Sequence, residues 1–270
     1  MNSVFNTTLE SYIPFGDNPF NMIKDKIVVA FDTETTGFNP RINQLTEIAA
    51  IAFEGNTFNE IGTYHTHVRL NDDTLAQIEK ERTQPAKGMN VVDILKMTEY
   101  YNSSEGAVDE REAIDGLSEF IESKAIIVAH NAKFDLKMVN TRARKLGTQP
   151  IRHHGKVLDT MLLSREFFIP MSQELEMDGD AEAKNVLDKL THRWTKSDKR
   201  QKISSKLGDL SAALTGDISN WHQALDDTRT TMSILKQFKE FFDKHFGSEL
   251  KYNHDFLRRY NRAYQQRKRK

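Results

Sequence analysis

Apolar residues in this chain gather first in short unbroken runs and later in stripes of helical spacing. Residues 27–31 (IVVAF) form such a run, as a strand covered on both faces requires. Residues 48–53 (IAAIAF) predict a second strand, and Gly55-Asn56 a turn into a third over 61–70, where apolar and polar positions partly alternate. Three successive strands joined by turns imply an antiparallel opening. Over 109–122, Ala113, Ile114, Leu117, Phe120 and Ile121 recur with helical spacing. Residues 126–129 (IIVA) predict another buried strand, followed by a helix over about 134–145 that Gly147 and Pro150 end. A short strand at 157–158 leads into a helix from Thr160, and further helices are predicted over 206–214 and 226–245. Strands first, then β-α alternation, predicts one α/β domain over 26–246: a mixed sheet, antiparallel then parallel, flanked by helices. Residues 1–25 read as an irregular extension, 172–203 as a polar insertion and 247–270 as a basic tail.

Composition narrows the class. With 38% apolar and 29% charged residues the chain is an ordinary soluble one. No apolar run approaches the ~20 residues of a membrane span, and the N-terminus has no charged-then-apolar leader. The expectation is a cytoplasmic or otherwise intracellular protein with no membrane partner. The absence of cysteine excludes disulfides, cysteine-type zinc sites and thiol nucleophiles. A formal net charge of −1 conceals an asymmetry: seven Lys or Arg lie in 257–270, and subtracting them leaves −8 on the rest. An acidic body with a basic tail suits a protein that concentrates an anionic polymer near an acidic metal site. A solvated tail that aids solubility is the alternative.

Three segments carry chemistry. In 31–37 (FDTETTG), strand alternation turns Asp32 and Glu34 to one side and Thr33 to the other. Two carboxylates at the end of a buried strand cost several kcal/mol or are neutralised unless they meet cations. Divalent metal is the economical answer, because oxygen ligands suit Mg²⁺ or Mn²⁺; a solvated acid pair is the bland one. In 130–135 (HNAKFD), Asn131 is placed to end a strand and cap a helix, with Asp135 in its first turn. That acid also suits the helix dipole alone. In 222–228 (HQALDDT), His222 precedes a helix and Asp227 lies just inside it.

Taken in this order, the three segments resemble the DEDDh exonucleases, a family that includes polymerase proofreading subunits, ribonuclease T and oligoribonuclease. The resemblance covers about 26–246 and implies a ribonuclease-H-like fold. It implies Asp32, Glu34, Asp135 and Asp227 as ligands of two Mg²⁺ or Mn²⁺ ions about 3.5–4 Å apart, and His222 as the general base. It also implies that Thr36 and Gly37 touch the terminal nucleotide through backbone groups. Asp159-Thr160 fits a helix N-cap and is not taken as a ligand. The activity implied is 3′→5′ removal of nucleotides, most readily from single-stranded or frayed 3′ ends of DNA, with a replication or repair protein as partner. The alternatives are a 3′→5′ exoribonuclease and a nucleic-acid-binding module without catalysis.

Two further groups stand apart. His65 and His67, two apart on a strand, could share a metal, but no third ligand is evident, so they are expected to face solvent. From Lys189 to Lys206 there are seven Lys or Arg against one acid, Asp198, with Trp194 among them. Arg193, Trp194, Lys196, Lys199 and Arg200 are therefore candidates for holding a single strand, cations on phosphates and the ring on a base. The alternative is a solvated surface with Trp194 packed inward.

One sequence distinction is directly testable. Asp226 and Asp227 are about 100° apart on a helix, so they cannot serve one cluster equally. Asp227→Asn is expected to lower nuclease activity far more than Asp226→Asn in matched steady-state assays; the opposite ranking would refute the choice.

Overall fold

Strand β1 (Ile27–Thr35) is the middle of a five-stranded sheet of order β3-β2-β1-β4-β5. The computed structural model describes residues 19–83, 106–121, 126–152, 157–193, 201–217 and 223–247. Antiparallel pairing runs from β1 to β2 (Leu45–Glu54) and on to β3 (Glu60–His67). On the other side β1 pairs in parallel with β4 (Ile126–Ala129), which pairs in parallel with β5 (Val157–Asp159). This is the mixed sheet that the hydrophobic pattern predicts.

The β1–β4 pairing covers Val28 to Ala30, whereas β1 continues against β2 as far as Thr35. Asp32 and Glu34, expected together at the end of this strand, lie there, on an overhang where β1 has outrun its parallel neighbour. After β4 the chain turns into α3 (Ala132–Leu146), whose first turn occupies the space beside that overhang. Earlier in the chain, α1 (Asp72–Thr83) and α2 (Glu110–Phe120) follow β3.

Each face of the sheet has its own core. Val29, Phe31, Ile48 and Ile127 pack with Ala113, Ile114 and Leu117 of α2 and with Leu136 and Val139 of α3. On the opposite face Val28, Ala30, Ile51 and Val128 pack under α8 (Ala224–Phe246), through Ile234, Leu235, Phe238 and Phe242. The Phe168 ring stacks on Phe238 with centroids 4.4 Å apart, and Phe20 and Phe167 both touch Phe242. Burying each such ring contributes on the order of 1.5–3 kcal/mol, so the long helix that carries Asp227 is firmly seated.

Beyond β5 the chain runs through α4 (Thr160–Leu163), a π turn at Ser164–Phe168, α5 (Ile169–Met177) and α6 (Ala181–Leu190). Residues expected within a polar insertion are here core. Ala183, Val186, Leu187 and Leu190 are buried together with Met171 and Leu175 in the α8-side core. Their spacing was present in the sequence but was masked by the charges between them. A two-stranded hairpin of β6 (Thr191–Arg193) and β7 (Gln201–Ile203) follows, then α7 (Leu207–Leu214).

One buried ion pair clamps the α2–α3 side. Arg142 Nε donates to Glu110 Oε1 at 2.8 Å and its Nη2 donates to Oε2, while the Leu45 N–H also donates to Oε1 at 3.0 Å. Both residues are at most 5% exposed, so removing one partner strands the other's charge in a dry place. Arg142→Ala is expected to lower unfolding free energy by about 3–5 kcal/mol in urea titration. A loss below about 1 kcal/mol would show that the clamp contributes little.

Candidate active site

The overhang of β1 determines where the acids meet. Asp32 and Glu34 share the α8-facing side of the strand, in line with Val28 and Ala30. On that side the first turn of α8 delivers Asp227, and Thr228 Oγ1 donates to Ala224 O at 2.7 Å inside the same turn. Asp32, Glu34 and Asp227 each place one ligand oxygen within 4.8 Å of the others. Asp226, its neighbour, is exposed and lies 3.9 Å from Arg229.

Asp135 arrives from the other face. Only 2% exposed, it accepts hydrogen bonds from Thr33 N at 3.2 Å and Thr33 Oγ1 at 2.7 Å. Thr33, the residue turned away from Asp32 and Glu34, is thus what fixes Asp135 across the strand end.

The electrostatics of the cluster follow from burial and crowding. Burial pushes the Asp32 carboxyl well above the usual range, with the negative charges of Asp135, Asp227 and Glu34 adding to it. Burial, then Asp227, Glu47 and Asp135, pushes Glu34 up to about 7. Asp135 is likewise pushed up to about 7 by burial, against the hydrogen bonds from Thr33 that pull it down. An all-oxygen donor set whose members resist ionising together fits a divalent cation, which supplies the missing positive charge. The residues present therefore suit Mg²⁺ or Mn²⁺.

Asp159 is a different kind of acid. Its Oδ1 accepts from Met161 N at 2.9 Å, Leu162 N at 3.2 Å and Asn131 N at 3.1 Å. It caps α4, as its sequence context predicts, and also pins the turn between β4 and α3. Asn131 does not cap α3 with its side chain; it adopts a left-handed conformation, φ 71°, whose amide Asp159 receives.

The loop after β1 is closed on itself. Thr36 N donates to Gln44 O at 2.9 Å, and Asn43 Nδ2 donates to Thr36 O at 3.3 Å. Gly37 sits against the Asn43 side chain so closely that a Cβ there would lie 2.8 Å from Asn43 Nδ2. The amide and carbonyl of Thr36 thus both have partners within the loop. What the loop does present is Phe38, 89% exposed, its ring edge-to-face with Phe134 at 6.0 Å. Phe134 directly precedes Asp135 on α3. In the sequence, Phe38 is marked only as an aromatic directly after the Gly37 turn.

His222 lies outside the described residues, as do Trp194, Lys196, Lys199, Arg200 and the tail from 257 to 270. Arg193 is the last residue of β6.

The comparisons with known proteins bear on this geometry. The family model described as Exonuclease (RNase T) matches residues 29–235. The chain belongs to this exonuclease family. Its motifs place it with the DEDDh 3′→5′ exonucleases that the sequence resembles. Ribonuclease T of Vibrio vulnificus (strain CMCP6) is 31% identical over 148 residues, covering 50% of this chain and 63% of that protein. Ribonuclease T of Haemophilus influenzae (strain PittEE) is 31% identical over 170 residues, covering 58% of this chain and 68% of that protein. A PolC-type DNA polymerase III from Staphylococcus aureus is 30% identical over 148 residues, covering 53% of this chain and 9% of the polymerase. Among solved structures, E. coli exonuclease I in complex with a dT13 oligonucleotide superposes with a TM-score of 0.56 at 19% identity, covering 82% of this chain and 42% of that one. That likeness shows the shared ribonuclease-H-like fold. Among the described residues no helix is long and apolar enough to cross a membrane.

The raised carboxyls make a signed prediction for the metal-free protein. A carboxyl whose folded-state pKa exceeds its unfolded value binds extra protons when folded, so stability falls as pH rises. For Glu34 and Asp135 the fall spans from about 4 to about 7, and the full penalty persists above it. Asp135→Asn keeps an acceptor for Thr33 but removes the charge. Without metal it is expected to be more stable than wild type at alkaline pH by roughly 1–4 kcal/mol, and equal to it at acidic pH. Thermal melts in EDTA across that range check this, and a pH-independent difference would refute it.

Proposed function

We propose that this protein is a metal-dependent 3′→5′ exonuclease that hydrolyses phosphodiester bonds at the 3′ ends of DNA, using two Mg²⁺ or Mn²⁺ ions. The observation that carries the proposal is the convergence of Asp32, Glu34 and Asp227 within 4.8 Å, with Asp135 tied to the same strand end by Thr33. Bound divalent ions would supply an acidified water and positive charge opposite the scissile phosphate. The chain's own residues do the rest. Four carboxylates repel a phosphate until that positive charge is present, so cation and substrate binding are coupled. His222, five residues before Asp227, serves as the proton acceptor from the attacking water, because an imidazole is the side chain able to take up and release a proton near neutral pH. Phe38 offers a stacking face for the base of the terminal nucleotide, with Phe134 behind its edge. Arg193, Trp194, Lys196, Lys199 and Arg200, together with the basic tail, guide the strand through phosphate contacts and stacking. Thr36 and Gly37 shape the loop that carries Phe38.

DNA is favoured by the fold neighbours, which are titled as exonuclease I complexes with dT13 and dA16 oligonucleotides. A PolC-type polymerase among the relatives suggests a replication partner. RNA is the second reading, favoured by the ribonuclease T proteins at 30–31% identity. Purified protein incubated with 5′-labelled single- and double-stranded DNA and RNA, in Mg²⁺, Mn²⁺ or EDTA, separates the cases. We expect stepwise shortening from the 3′ end of single-stranded DNA, abolished by EDTA and nearly abolished in Asp32→Ala, Glu34→Ala and Asp135→Ala. His222→Ala is expected to reduce turnover by about 10²–10⁴-fold. Phe38→Ala is expected to weaken substrate binding by about 1–3 kcal/mol with turnover nearly kept. No digestion of any polymer with either metal would sink the enzymatic reading and leave a binding module.

A further inference from the structure

We infer that Glu47, His65 and His67 form a second metal site, for a nitrogen-preferring divalent transition ion of which Zn²⁺ is the type. The two histidines lie two residues apart on β3 and so project from one face. In the β2–β3 register Glu47 is opposite His67, while Ala49, with only a methyl group, is opposite His65. That small neighbour lets the His65 ring lean along the pair towards Glu47, and His65 Nε2 lies 2.8 Å from Glu47 Oε1. The two imidazoles stand edge-to-face with centroids 5.1 Å apart. One ligand atom from each of the three residues falls within 4.8 Å of the others. The carboxylate that the sequence lacked as a third partner is thus delivered by the neighbouring strand.

The donor set distinguishes this site from the acidic cluster. Two imidazoles and one carboxylate match the borderline ions, whereas an all-oxygen set suits Mg²⁺. Glu47 is buried, at 2% exposed, and forms the floor, while His65 is exposed to solvent. Three protein ligands on an open edge strand leave coordination positions for water, the arrangement of a zinc centre that is not closed. A buried carboxylate needs a cation or a donor; an ion bound between the rings would take over the role that the His65 hydrogen bond fills in its absence. Glu34 is the cross-strand partner of Glu47 on β1. The two sites are therefore neighbours, about one strand spacing of ~4.8 Å apart at that row, and an ion in one adds its charge to the field of the other.

The test is Zn²⁺ binding to the full chain in millimolar Mg²⁺, which holds the oxygen-donor cluster. By equilibrium dialysis, wild-type protein is expected to bind one more equivalent of Zn²⁺ than the His65→Gln/His67→Gln double variant. Each single variant is expected to weaken that equivalent by on the order of tenfold or more. Asp135→Asn is expected to leave it intact, which separates this site from the nuclease cluster. Zinc-edge X-ray absorption of the wild-type protein at one equivalent reads the ligands without relying on any variant: two imidazole scatterers are expected. An all-oxygen shell, or equal stoichiometry and affinity in wild type and double variant, would overturn the assignment.

Discussion

Carboxylates at Asp32, Glu34, Asp135 and Asp227 repel one another where little water reaches them, and that repulsion is the constraint the surrounding architecture serves. Left to itself the cluster would take up protons, as the upward shifts of Asp32, Glu34 and Asp135 show. Holding the acids together at neutral pH needs either a cation or a scaffold stiff enough to withstand the strain. The structure provides the scaffold. β1 is paired along its whole length by β2, the Thr33 side chain and amide hold Asp135, and stacked phenylalanines seat the helix that brings Asp227. Stability is given up at the site and recovered in the two cores on either side of the sheet.

Much of this was legible in the chain. The runs at 27–31, 48–53 and 126–129 predicted buried strands because a strand covered on both faces has no polar face to show. The acid spacing in 31–37 located one half of the site, since strand alternation is a strict geometric rule. Less legible was anything set by partners distant in sequence. The length of β1 depends on β2, so its overhang past the parallel neighbour could not be read from residues 27–31. Helix α6 was hidden because Glu182, Lys184, Asp188 and Lys189 dominate its composition, although Ala183, Val186, Leu187 and Leu190 keep a helical stripe. Glu47 was invisible as a partner for His65 because antiparallel register, not sequence proximity, joins them.

The histidine–carboxylate row on β3 and β2 also bears on the sheet's margin. β3 is an edge strand, and exposed edges invite pairing with other chains. Its exposed positions are Glu60, Ile61, Thr63 and His65, three polar side chains and one apolar one.

Asp159 shows how acids near this centre divide their labour. Three backbone amides already claim one of its oxygens, which ties the carboxylate to the chain's own turns. Asp135, on the first turn of α3, is instead held across the strand end by the amide and hydroxyl of Thr33. Where helix starts converge, backbone amides engage Asp159, while Asp32, Glu34 and Asp227 are the acids whose oxygens are brought face to face.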